Sequence, residues 1–406
     1  MSADPTSAAG VLARCSTLAA ISARPDGIER VHLSPEHARA NAEVAGWLRQ
    51  AGLATWQDAA GNQWGRREGR TPGLPALVLG SHLDTVTDAG PYDGILGVAL
   101  AIAVAQRLGE RAATLPFALE VVGFADEEGT RFGAALLGSR AVAGQWDESW
   151  WALRDRGGVT LREASVAFGL DPDQIGTAAR ASDELVGYLE AHIEQGPELE
   201  AADESLGVVS SIAGARRMRL TVLGEARHAG GTPYSRRRDA LAGASEIVLA
   251  IERAGRASGC IATVGQLAVE PGGVNVIPGR AELSVDLRAE TDQARDQLWA
   301  TLEPQLHELC TRRGLRLSVE EWHRATAVAC APRLAAAVGA GIGAKPPTLW
   351  SRAGHDAMAM AAITEVGMLF VRCHDGISHH PAESVGEIDV ACALDALEAA
   401  VLHLAS

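Results

Sequence analysis

Apolar and polar positions change rhythm along the 406 residues. In the first part, short apolar runs that stop in polar residues alternate with longer apolar stretches. Residues 75–86 (PALVLGSHLDTV) and 117–129 (FALEVVGFADEEG) read as buried strands ending in acids, and residues 95–112 (ILGVALAIAVAQRLGERA) are long and apolar enough for a buried helix. A Gly/Ala-rich helix near 133–144 and a strand in 186–196 (VGYLEAHIEQG) continue the series. This alternation predicts a mainly parallel α/β sheet, whose ligands gather at the carboxyl ends of its strands.

From Ile212 the pattern is different. It gives a strand (216–224), a helix (238–255), two strands (261–269 and 280–288), a helix (292–313) and a strand (315–321). That β-α-β-β-α-β order is the ferredoxin-like split unit, a small domain complete in itself. After Thr326 the α/β character resumes, with helices in 332–342 and 355–363, a strand at 366–373 and a helix at 387–405. The expected architecture is an α/β domain over 1–211 and 327–406, interrupted by an α+β domain over 212–326. No internal repeat or low-complexity linker is seen.

The composition, 47% apolar, supplies a core for each domain. A formal charge of −15 disfavours phosphate backbones and anionic lipid, so nucleic acid and membrane surfaces are not expected partners. Lys345 is the only lysine, and it precedes two prolines. Pyridoxal-phosphate chemistry, Ser-Lys or Cys-Glu-Lys catalysis and a carboxylated-lysine metal bridge would each have to use it. No Gly-Lys pair exists, which removes the phosphate-cradling loop. The six cysteines show no C-x-x-C spacing, as expected of a reducing, cytoplasmic setting. The N-terminal MSADPTSAAG lacks the features of a secretory signal, and no stretch reaches the ~18 apolar residues of a membrane span.

Candidate chemistry collects at the strand ends. His82 and Asp84 lie two apart on a strand and share a face. Asp93 precedes the buried helix, where an acid ordinarily serves as an N-cap. Asp126, Glu127 and Glu128 follow an apolar strand and alone would read as a solvated acidic turn; His192 and His379 alone would read as structural histidines. Together, His, Asp, Glu, His and His occupy five successive loop positions of one sheet, which points to a two-metal site. In that site Asp93 bridges, His82 and His192 complete one ion, and Glu128 and His379 the other. Asp84 accepts the second ring N–H of His82. Glu127 is the general base that takes a proton from the attacking water and hands it to the leaving nitrogen.

The ordered motifs SHLDTV, GPYDGILGV, DEEGTRFG, AHIEQGPELE, GEARHAGGTP, GGVNVIPG with DLR, AGHDAM and GISHHPAES span nearly the whole chain. They resemble the allantoate amidohydrolases and N-carbamoyl-L-amino-acid hydrolases, within the wider dimetal aminoacylase and carboxypeptidase group. The resemblance implies a dimetal catalytic α/β domain with an inserted ferredoxin-like lid and dimerisation domain, binding two divalent ions (Zn, Mn or Co) per subunit in a homodimer. It carries the five ligands onto His82, Asp93, Glu128, His192 and His379, the latter rather than His380 because the family's ligand precedes Pro by two positions. It assigns Glu127 as base, Asp84 behind His82, His228 as donor to the tetrahedral oxyanion, Asn275 and Arg288 as a clamp on the substrate's carboxylate, and Gln195 and His355 as contacts to its polar end. Closure of the inserted domain would exclude water from the site. Three departures bear on substrate identity: Ala215 where the family often has Gln, Arg352 where it often has Gly, and His228-Ala-Gly-Gly231-Thr-Pro-Tyr234 in place of H-A-G-T-T-P-M.

The expected activity is therefore hydrolysis of the carbamoyl or ureido C–N bond of a small carboxylic acid, allantoate or an N-carbamoyl-L-amino acid. A dipeptidase or N-acyl-amino-acid deacylase would share every ligand, and a non-catalytic binding protein on the same fold would have lost ligands or the base.

Overall fold

Four strands made almost entirely of buried residues set the frame: Ala76–His82, Ala118–Phe124, Leu185–Ile193 and Val366–Val371. Near-continuous apolar runs of this kind suit parallel strands covered on both faces. The computed structural model describes residues 4–343 and 345–406. Backbone contacts divide the chain into two units. The second comprises Ser211–Ala329 with Trp350–Arg352, and the first comprises the remainder.

In the first unit the four strands run parallel in the order Ala118–Phe124, Ala76–His82, Leu185–Ile193, Val366–Val371. Gln63–Arg67 and Ala54–Gln57 add antiparallel on one side, and Leu206–Ile212 adds antiparallel on the other. The sheet is thus parallel at its centre and antiparallel at its flanks. Those flanking strands are short or separated by polar turns, so their pairing direction leaves little trace in the apolar pattern.

The helix Ile95–Leu108 packs on Ala76–His82 and Leu185–Ile193. Leu96, Leu100 and Ile102 are fully buried, each contributing about 1.5–3 kcal/mol relative to exposure. Gly97 allows the close approach, because a Cβ there would lie 2.1 Å from the Ala191 carbonyl oxygen. Helices Ala8–Ala19 and Glu387–Leu404 pack around it.

Two expected helices are shorter. The one near 133–144 is Leu137–Val142, because the preceding residues return to the acidic turn: the N–H groups of Leu136, Leu137 and Gly138 bond the carbonyls of Glu127, Asp126 and Ala125. The one at 355–363 is a single turn, Ala357–Met360, whose first N–H is taken by the Glu190 carboxylate at 3.1 Å.

In the second unit the antiparallel order is Leu267–Glu270, Arg280–Ala289, Gly214–Leu223, Arg316–Ala325. Helices Ala240–Ser258 and Asp292–Arg312 supply the apolar cover, and Leu283, Val285 and Leu287 alternate inward along their strand. This is the ferredoxin-like order. The strand expected over 261–269 is split into Ile261–Thr263 and Leu267–Glu270, with the Ser284 hydroxyl accepting the Gln266 N–H between them.

Candidate metal centre

The parallel register brings His82 and His192 to one edge of the sheet, since their strands are neighbours. Asp93 reaches the same place from the turn before helix Ile95–Leu108. It does not cap that helix; Gly94 occupies the N-cap position without a side-chain bond. The Asp93 carboxylate instead divides its two oxygens. Oδ1 lies 3.1 Å from His192 Nε2 and 3.8 Å from His82 Nε2, while Oδ2 lies 3.0 Å from His379 Nε2. His379 Nε2 is in turn 3.2 Å from Glu128 Oε1.

These contacts define two triads sharing one carboxylate, His82–Asp93–His192 and Asp93–Glu128–His379, each offering ligand atoms within 4.8 Å of one another. Imidazole nitrogens and carboxylate oxygens suit borderline divalent ions. Each inner imidazole is also oriented for the task. His82 Nδ1 lies 3.0 Å from the Asp84 carbonyl and His192 Nδ1 lies 2.9 Å from the Ile193 carbonyl, so each donates from Nδ1 and turns Nε2 toward Asp93.

Asp84 faces the His82 ring with two of its groups. Its main-chain carbonyl is the nearer partner of His82, and its Oδ1 stands 3.5 Å from that ring. The carboxylate accepts the backbone N–H groups of Glu127 and Glu128 at 3.0 and 3.1 Å. It therefore fixes the turn that presents both glutamates. Asp126, with φ of 61°, makes that turn in the left-handed region, as does His379 with φ of 57°. Non-glycine residues in such conformations cluster at functional sites.

Burial governs the electrostatics. It opposes ionisation of Asp93, yet His192, His379 and His82 hold that carboxyl well below its ordinary range. Glu127 is pushed well above the ordinary range by burial, partly offset by His82 and reinforced by Glu128 and other acids. His379 is drawn up to about 10 by its bonds to Asp93 and Glu128. The cluster thus gathers buried carboxylates and imidazoles whose ligand atoms converge, the donor set that divalent ions take.

Gln195 donates to Asp93 Oδ2 at 3.2 Å and to Ser378 Oγ at 3.0 Å, so it stands at the centre itself. His355 is 1% exposed and packs edge-on against His192 at 4.5 Å. Two contributors were not singled out from sequence. The Ser378 hydroxyl donates to Asp93 Oδ2 at 2.9 Å. Glu383 Oε1 accepts the N–H groups of Tyr92 and Asp93 at 2.6 and 3.0 Å, and burial, aided by Asp93, pushes its carboxyl up to about 7. Both lie in GISHHPAES, where an acid four residues after His379 was the available signal.

In the second unit, the short strand Arg227–His228 pairs with Val276–Ile277, and the Asn275 carbonyl accepts the Ala229 N–H at 2.8 Å. The pairing sets His228 beside Asn275. His228 Nδ1 accepts the Gly231 N–H at 3.0 Å, so the neutral ring carries its proton on Nε2. Arg288 is already engaged: Nε and Nη2 hold Asp286 at 3.1 and 3.0 Å, and Nη1 donates to the Arg352 carbonyl at 2.7 Å.

Comparison with known proteins follows the same lines. The family described as Peptidase family M20/M25/M40 matches residues 78–403. An N-carbamoyl-L-amino acid amidohydrolase of Geobacillus stearothermophilus is 41% identical over 383 residues, 93% of this chain and 94% of that one. An allantoate deiminase of Arabidopsis thaliana is 38% identical over 417 residues, 94% of this chain and 79% of its own length. A crystal structure of a hydantoinase/carbamoylase family amidase from Burkholderia multivorans superposes with a TM-score of 0.90 at 33% identity, covering 98% of each chain. The chain belongs to the M20/M25/M40 peptidase family, in the group that contains the carbamoyl-amino-acid amidohydrolases and allantoate deiminases.

Proposed function

We propose that this protein is a metal-dependent hydrolase that cleaves the carbamoyl or ureido C–N bond of an N-carbamoyl-L-amino acid or of allantoate, releasing ammonia and carbon dioxide with the amine. One observation carries the reading: the Asp93 carboxylate presents one oxygen to His82 and His192 and the other to His379, beside Glu128. The names of two similar proteins, an N-carbamoyl-L-amino acid amidohydrolase and an allantoate deiminase, support the bond assigned.

His82, Asp93 and His192 would hold one divalent ion, and Asp93, Glu128 and His379 a second. Two such ions supply a water nucleophile usable at neutral pH and polarise the carbonyl under attack. Glu127 takes the proton of the attacking water on its carboxylate and delivers it to the departing nitrogen. Asp84 keeps Glu127 in place by holding its backbone N–H. In the second unit, His228 donates from Nε2 to the oxyanion, and Arg288 offers its two remaining N–H donors, with Asn275, to the substrate carboxylate. Gln195 orients Asp93 and the polar end of the substrate, and His355 backs His192.

The inserted unit serves as lid and dimerisation surface in a homodimer. Six free thiols support a cytoplasmic setting, and no helix among the described residues is long and apolar enough to cross a membrane. The direct test of the mechanism is Glu127→Gln in protein reconstituted with Zn²⁺, Mn²⁺ or Co²⁺. It should retain two ions per subunit and lose turnover by orders of magnitude; full activity would refute the assignment of the base.

A further inference from the structure

The second unit contains a cleft of about 950 Å³ whose chemistry none of the proposed reaction uses. Its walls come from the segments on either side of His228 and from the end of helix Asp292–Arg312, and they bring together Arg227, Arg236, Arg237, Arg238, Arg312 and Arg313. Two carboxylates line the same space, and both are committed. Glu225 pairs with Arg227 at 2.6 Å, and Asp239 caps the helix Ala240–Ser258 by accepting the Ala242 N–H at 3.0 Å. Just outside, Glu246 pairs with Arg313 and Glu308 with Arg312 at 3.1 Å. Arg237 is spent on the carbonyls of Ala229 and Thr232 and lies over the Tyr234 ring at 4.1 Å. The guanidinium groups of Arg236 and Arg238 make no side-chain hydrogen bond or ion pair among the described residues, and the Arg238 charge acts on Glu225 from a distance.

Six guanidinium groups against four carboxylates, counting the two ion-paired just outside, is a local reversal of sign in a chain of net charge −15. The groups line one cleft, and a bound anion would offset the charges there that no carboxylate holds. Arginine forks fit phosphate oxygens two at a time, and several forks around one cleft favour an anion carrying more than one charge. The backbone of Arg238 is itself fixed, since its carbonyl accepts the Glu225 N–H at 2.8 Å. We infer that this cleft binds a small polyphosphate group, with Arg236 and Arg238 as its principal contacts. The group is either free or carried on a nucleoside, and the exposed Tyr234 ring offers the latter a stacking face.

Isothermal titration of the metal-loaded protein with pyrophosphate and with ADP, at ionic strength fixed by NaCl, tests this. Arg236→Ala/Arg238→Ala provides the comparison, and because both side chains are exposed its melting temperature should match the wild type. Any heat from the metal centre or from chelation appears in both proteins and cancels. The expected result is saturable binding of one anion per subunit, weakened at least tenfold in the double variant and unchanged in Arg162→Ala, which removes an exposed arginine of the first unit. Equal affinities for the two probes assign the site to the phosphates alone; tighter ADP adds the nucleoside. No saturable binding of either probe, or the same affinity in the double variant, overturns the inference.

Discussion

Gly94 lies directly against the His82 ring: with φ of 68°, a Cβ at this position would come within 2.4 Å of the imidazole Cδ2 and Nε2. The residue after the shared carboxylate therefore has no room for a side chain. Gly94→Ala combines a left-handed backbone with displacement of the ring atom that faces Asp93, so it should lose ions from the His82 triad while the sheet remains folded. Metal analysis beside a circular dichroism melt checks this; full metal content would show that His82 tolerates the shift.

Glu383 should act through Asp93. Truncation to Ala leaves two backbone N–H groups buried without an acceptor, at about 1–3 kcal/mol each. Glu383→Ala should therefore lower both melting temperature and metal affinity. Glu383→Gln, which keeps an acceptor oxygen, should recover most of each. Equal losses in the two variants would contradict the positioning role.

Asp84 holds the turn that bears Glu127 and Glu128. Asp84→Asn exchanges one acceptor for a donor facing a backbone N–H, an unpaired polar contact costing about 1–3 kcal/mol. Turnover should fall more steeply than metal affinity, because the displaced residues include Glu127, the proposed base. Stopped assays at saturating metal separate the two effects.

Arg288→Ala should raise KM more than it lowers kcat, since the proposed role of Arg288 is to hold the unreacting carboxylate of the substrate. Its ion pair with the partly exposed Asp286 contributes only about 0–1 kcal/mol to stability. Asp286 also keeps Arg217 at 3.3 Å, so the fold should survive. A fall in kcat at unchanged KM would move Arg288 from substrate binding to the reacting centre.

The buried strands were legible in sequence because both faces are covered, which makes a continuous apolar run. The proposed ligands were legible because such strands end at one edge, where His82, Asp93, Glu128, His192 and His379 meet. What stayed hidden depends on backbone atoms. Asp84 holds two N–H groups and offers its own carbonyl to His82, a division of labour that no residue pattern records. Glu383 likewise reaches the main chain of Tyr92 and Asp93 across 290 positions. The shortened helix at Leu137–Val142 has the same origin, since its first N–H groups satisfy the carbonyls of the acidic turn instead of extending the helix.

The central claim concerns the bond that is broken, and ammonia release measures it most directly. Protein reconstituted with Zn²⁺, Mn²⁺ or Co²⁺ should liberate ammonia from N-carbamoyl-L-amino acids or from allantoate, and should lose that activity on chelation. It should turn over N-acetyl amino acids and dipeptides far more slowly. Efficient cleavage of the acyl or peptide substrates, with no ammonia from any carbamoyl or ureido acid, would contradict the assignment while leaving the metal centre in place.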